Sequence, residues 1–230
     1  MKQFVTRGIV LGRTDYGEAA RIITLLTPDH GKLRLMARGV RKPKSKLAGG
    51  IELFSTADIT FIKGRGEIGT LISARLIKYY STVVQDIDRV QLGYELIKTL
   101  NRATEDEPEE EYFNLLEQAF QALDNANIDL ELIRTWFKAQ LLKQAGHSPN
   151  LKTDTDGNNL DPGQTYSFDF ETMAFTPRDA GQFTAAHIKT LRLLFSSHPP
   201  QDIAKVQGLG KLLTGLSSLV HTMLTSYIRV

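Results

Sequence analysis

Near residue 80 the hydrophobic period changes from about two residues to about 3.6, so the chain joins a strand-built part to a helix-built part. Before that point, residues 4–11 and 21–26 are rich in Val, Ile, Thr and Leu, as strands are. The turn residues Thr27-Pro28-Asp29-His30-Gly31 lead into residues 32–37, where Leu33, Leu35 and Ala37 alternate with Lys32, Arg34 and Met36. Residues 51–63 and 67–79 are two more strand patterns, joined by the hairpin signal Gly64-Arg65-Gly66. Five short strands with Gly-containing turns predict a small closed sheet. An OB-type barrel is the common five-stranded form that also binds nucleic acid.

After residue 83, Val90, Tyr94, Ile97 and Leu100 follow a helical repeat, with Leu96 widening the apolar face. The run Glu105-Asp106-Glu107-Pro108-Glu109-Glu110-Glu111 ends that helix and opens the next, since Pro and acidic residues both suit a first turn. Helices are predicted over 112–123 and 130–145, over a segment capped by Thr184 and reaching Ser196, and over 208–230. Residues 146–180 are punctuated by Pro149, Gly157, Pro162, Gly163 and Pro177 and hold only a short strand-like pair, 166–170 and 173–175. The predicted fold class is therefore α+β. An OB-fold β-barrel domain, residues 1–80, precedes a mainly α-helical domain, residues 81–230, which carries a hairpin-containing loop insertion.

Charge divides along the same line. The first 80 residues hold 15 Lys and Arg against 6 Asp and Glu, and the remaining 150 hold 13 against 20. A basic part joined to an acidic part points to a polyanionic partner for the former, the alternative being an uneven but unused surface charge. The basic residues are concentrated: positions 32–46 contain seven Lys and Arg and no acid. Gly39 and Pro43 disfavour helix there, so Arg34, Arg38, Arg41, Lys42, Lys44 and Lys46 form a candidate DNA-binding segment on a strand end and loop. A solvated basic loop without a partner is the competing reading.

At this point a family resemblance appears. Arg7-Gly8-Ile9-Val10-Leu11, Tyr16-Gly17-Glu18, Arg21-Ile22-Ile23-Thr24-Leu25-Leu26-Thr27 and Gly31-Lys32 fall in the order found at the amino terminus of the RecO family. Ala37-Arg38-Gly39-Val40-Arg41, Lys44-Ser45-Lys46 and Glu52-Leu53-Phe54 extend the likeness, and Gly146, Pro149, Asn150 and Leu151 resemble the family's departure from helix into its loop or zinc module. The resemblance implies a non-enzymatic recombination mediator of DNA repair, cytoplasmic and associated with the nucleoid, acting in the RecFOR pathway. Such a protein binds single- and double-stranded DNA, anneals complementary strands, and works with RecR to help load RecA. It also engages the acidic, Phe-ending tail of single-strand-binding protein, for which Arg134 is the candidate cation beside Trp136 and Phe137. Two positions depart from the family pattern. Ala20 stands where an acidic residue is usual, and the four zinc-binding cysteines of many relatives are missing, since the chain has no cysteine. The rings of Tyr166, Phe168, Phe170 and Phe175 are expected to anchor the loop instead.

Other chemistry finds little support. Asp154, Asp156 and Asn158 match three positions of a calcium loop, but Asn159 replaces its turn glycine and Thr165 its bidentate Glu, which predicts an Asx-rich turn. The histidines, His30, His147, His187, His198 and His221, lack metal-ligand spacing, and no P-loop, Rossmann fingerprint or nucleophile elbow is present. No cofactor, metal site or catalytic residue is predicted. No run approaches 18 apolar residues, and the first residues lack a signal-peptide core, so a membrane is not an expected partner. An RNA- or ribosome-binding OB protein remains the alternative, because phosphate contacts carry little sequence information. An enzyme with an appended OB domain is a third reading, without convergent acid, base or nucleophile.

Overall fold

A computed structural model describes residues 2–43, 45, 47–64, 66–104 and 109–228. The chain forms two compact units, Met1–Ala126 and Asn127–Val230.

In the first unit five strands close a barrel in the order β1-β2-β3-β5-β4, where β1 is Gln3–Tyr16, β2 Ala20–Thr27, β3 Gly31–Ala37, β4 Ser55–Ile62 and β5 Ile68–Tyr79. β3 and β5 run parallel and the other neighbours antiparallel. This is the expected OB-type topology. Alternation does the folding: Ile23, Leu25, Leu33, Leu35 and Ala37 point inward with Val10, Ile59, Phe61 and Leu71, leaving their neighbours outside. Burying each large side chain contributes about 1.5–3 kcal/mol. β1 is longer than its apolar pattern, because an irregularity between Val10 and Gly12 carries it on to Tyr16 beside β2. β4 is shorter than predicted: residues 48–50 form a 3-10 turn and Phe54 takes a positive φ of 56°, so pairing starts only at Ser55.

Three helices follow in the same unit: α1 Ser81–Gln85, α2 Ile87–Ala103 and α3 Glu110–Leu123. The change from strand to helix falls at residue 80, slightly ahead of Val83 where the helical period becomes visible, and the compact unit continues to Ala126. Aromatic packing accounts for this. The Phe120 ring of α3 lies edge-on to Phe54 and Tyr80, with centroids 5.4 and 5.5 Å away. Gly93 makes room on α2, since a Cβ there would stand 2.4 Å from the Phe54 ring. Asp86 caps α2 by accepting from the N–H groups of Asp88 and Arg89 at 2.9 and 3.3 Å. The acidic residues 105–107 and the expected first-turn Pro108 lie outside the described residues.

The second unit contains α4 Leu130–Gln144, the hairpin β6 Tyr166–Asp169 and β7 Ala174–Pro177, then α5 Ala185–Leu194, α6 Pro200–Ile203 and α7 Leu209–Tyr227. α4 packs chiefly on α7, and its Trp136 and Phe137 are core residues, the indole N–H donating to the His198 carbonyl at 3.0 Å. Thr184 precedes α5 as expected, its N–H donating to His187 Nδ1 at 3.2 Å. The 146–180 insertion is an aromatic-anchored hairpin. Phe175 meets Tyr166, Phe168 and Phe183 at 6.1, 5.1 and 5.7 Å, and Phe168 meets Phe170 at 5.1 Å. The Asp154 carboxylate accepts from the N–H groups of Asp156 and Asn158 at 3.0 and 2.9 Å, the Asx turn predicted for that stretch.

Candidate nucleic-acid interface

The strand register assembles the outward face of β1, β2, β3 and β5 in rows. Gly12, Thr24, Arg34 and Ile68 lie side by side in one, and Thr14, Ile22, Met36 and Thr70 in the next. Tyr16 pairs with Ala20 one step further along β1 and β2, and is largely exposed. These rows contain no acidic residue. They offer hydroxyls, short apolar side chains and the Arg34 guanidinium, with the exposed Arg38 just beyond the end of β3. Outward-facing apolar patches beside unopposed cations are what a single strand needs, bases on the former and phosphates on the latter.

The seven cations of positions 32–46 do not act alike. Arg34, Arg38 and Lys42 are exposed and form no ion pair among the described residues. Arg41 is exposed but held: its backbone N–H donates to Ala19 at 3.2 Å, and its guanidinium donates to the Gly17 carbonyl at 3.3 Å and sits 3.6 Å from Asp15. The hydrogen bond from Arg21, assisted by the charges of Arg41 and Arg13, keeps the Asp15 carboxyl below its usual range. Lys32 turns away from ligand duty. Its ammonium donates to the carbonyls of Asn101 and Thr104, at 3.1 and 2.8 Å, and so closes the C-terminus of α2. Lys44 and Lys46 lie outside the described residues. Gly39 takes φ 67°, which turns the chain from β3 into this loop at a conformation other residues resist.

Arg134, the candidate for the partner tail, is half-buried and donates to Glu131 at 2.5 Å, while Glu131 also accepts from the Ser217 hydroxyl of α7. Its charge is therefore already engaged. A cleft of about 360 Å³ lies between the starts of α4 and α7, where Leu132, Val206, Leu209 and Leu213 share the lining with Asp129 and Lys211. Among the described residues no group of three or more His, Cys, Asp or Glu side chains could hold a metal, and no helix is long and apolar enough to cross a membrane.

Fold and face together define an α+β protein whose OB-type barrel presents an open, cation-bearing surface and whose chain continues into a helical unit. The comparisons with known families agree: Recombination protein O N terminal matches residues 1–80 and Recombination protein O C terminal residues 84–228. The chain belongs to the recombination protein O family, RecO. It is 34% identical over 145 residues to the DNA repair protein RecO of Halalkalibacterium halodurans, a match covering 63% of this chain and 56% of that protein. The protein of the same description from Rubrobacter xylanophilus is 29% identical over 78% of this chain and 72% of its own length. That from Streptomyces avermitilis is 35% identical over 66% and 64%. The matched part thus spans little more than half of the first of these relatives.

Proposed function

We propose that this chain is a DNA-binding mediator of recombination in DNA repair, which holds single-stranded DNA on the outward rows of β1, β2, β3 and β5, also binds duplex, and anneals complementary strands without covalent chemistry. The observation that carries the reading is the set of exposed cations without an ion pair among the described residues, Arg34, Arg38 and Lys42, on and beyond the strand face that holds Ile22, Met36, Thr14, Thr24 and Thr70. Annealing requires two polyanions to approach, and cations that displace condensed counterions lower that repulsion without reading sequence. The names of the relatives, DNA repair protein RecO, support DNA as the polyanion. RecR, the tail of single-strand-binding protein and, indirectly, RecA are the partners proposed on the same ground, with the cytoplasmic nucleoid as the place of action. The test is the annealing rate of complementary oligonucleotides, bare and coated with single-strand-binding protein. The protein is expected to accelerate both, and a version of the coat lacking its acidic tail should abolish only the second effect. No acceleration of either, or tighter binding to structured RNA than to single-stranded DNA, contradicts the proposal.

A further inference from the structure

At the barrel end formed by the start of β1, the end of β4 and the β2–β3 turn, three rings pack together. Phe4 stacks on its strand partner Phe61 with centroids 5.5 Å apart and planes 26° from parallel. His30 stands edge-on to both, at 5.5 and 5.4 Å. Phe61 is wholly buried, whereas Phe4 and His30 are half-buried and keep part of their surface in solvent. Two exposed lysines approach the Phe4 ring, the Lys2 ammonium at 5.4 Å and that of Lys63 at 5.7 Å from its centroid. Neither lysine forms an ion pair among the described residues. The neighbouring carboxylate, Asp29, is committed elsewhere: it accepts from the Thr6 hydroxyl and lies 3.7 Å from His30 Nε2.

We infer that this end of the barrel is a further contact for single-stranded nucleic acid, with Lys2 and Lys63 taking phosphates and the Phe4 ring taking a base. The inference rests on the reading of the outward face as a DNA site. Two like charges have gathered over one ring and pair with no carboxylate among the described residues, so the ring quadrupole is the compensation seen there, and a phosphate is a far stronger partner. Once the ammonium groups move to phosphates, the Phe4 face is cleared. Phe61 beneath it and His30 at its edge hold the ring in place, so stacking orders little that is not already ordered. The position fits the path as well. Lys63 follows β4 and Ile68 opens β5, where it lies beside Arg34 in the outward rows. A strand leaving the outward face at Ile68 needs only to cross the β4–β5 turn to reach Lys63 and Phe4. The contact therefore lengthens the footprint of one strand.

The test compares oligothymidylates of about 5 and about 20 nucleotides, lengths that bracket the footprint of a single OB barrel, by fluorescence anisotropy over a range of salt. Against the longer probe, Lys2→Ala/Lys63→Ala should flatten the log–log salt slope by about 1.4 and weaken binding about 25-fold near 0.1 M salt, while the shorter probe loses little. Adding Phe4→Leu, which keeps the core filled, should cost about a further tenfold on the longer probe only. Unchanged binding of the longer probe by the lysine variant overturns the inference, as does an equal loss on both probes. The surface lysines leave the core intact, so a folding defect in the Phe4 variant does not decide the matter. Where Arg34→Ala/Arg38→Ala/Lys42→Ala weakens binding and the lysine variant does not, only this contact fails. Where neither variant weakens binding, the outward face fails too.

Discussion

Replacing Arg34, Arg38 and Lys42 together with Ala is expected to weaken single-stranded DNA binding about a hundredfold near 0.1 M salt and to flatten the salt slope by about 2. Each phosphate neutralised on a single strand contributes about 0.7 to that slope, and these three side chains are exposed with no acid partner among the described residues. Arg41→Ala should have a smaller effect, because its guanidinium is shared between Asp15 and the Gly17 carbonyl. Lys32→Met serves as the internal control. That lysine closes the C-terminus of α2, so its loss should lower the melting temperature and leave the slope unchanged. Titration of a labelled oligonucleotide at four or more salt concentrations decides the matter. A triple variant with the wild-type slope would place the DNA on another surface.

The largest expected effect on stability lies at Arg89, far from that face in role. Its side chain is almost wholly buried and donates to three carbonyls at and after the end of α3: Leu123 at 2.8 Å, Asn125 at 3.1 Å and Ala126 at 2.9 Å. Its Nε also lies 3.7 Å from Asp86. One guanidinium thereby satisfies the chain as it leaves α3 and ties that exit to the first turn of α2. Arg89→Leu fills the space but strands those carbonyls away from water, at a cost of about 3–5 kcal/mol. For a unit of this size the melting temperature should fall by about 10 °C or more. Arg89→Lys should recover part of the loss, since one ammonium can reach fewer of the three acceptors. A variant melting within two or so degrees of wild type, by calorimetry or circular dichroism, would mean that water replaces the guanidinium without penalty.

Period and charge made the barrel and its basic edge legible from sequence alone. The alternation of Leu33, Leu35 and Ala37 with Lys32, Arg34 and Met36 already sorts β3 into an inner and an outer face, and the structure keeps that sorting. Partnership across long separations was not legible. Lys32 looks like its basic neighbours until the carbonyls of Asn101 and Thr104 are seen beside it, and Arg41 until Asp15 is. Arg89 reads as a surface residue on an amphipathic helix, because nothing local announces that the chain after α3 folds back over it. Tyr16 was hidden by Gly12, Arg13 and Asp15, which interrupt the apolar pattern while β1 continues through them. α1 and α6, with five and four residues, are too short to show a helical repeat. The Arg134–Glu131 pair, by contrast, has the three-residue spacing of a helical ion pair and could have been read from sequence.

The central claim is that single-stranded DNA lies across the outward rows of β1, β2, β3 and β5. Photocrosslinking an oligonucleotide that carries 5-iodouracil, followed by mass spectrometry of the attached peptides, tests it most directly. The expected crosslinks fall on peptides carrying Tyr16, Ile22, Met36 and Ile68, and they disappear with the Arg34, Arg38 and Lys42 triple variant. Crosslinks confined to residues 127–230, or unaffected by that variant, would contradict the account.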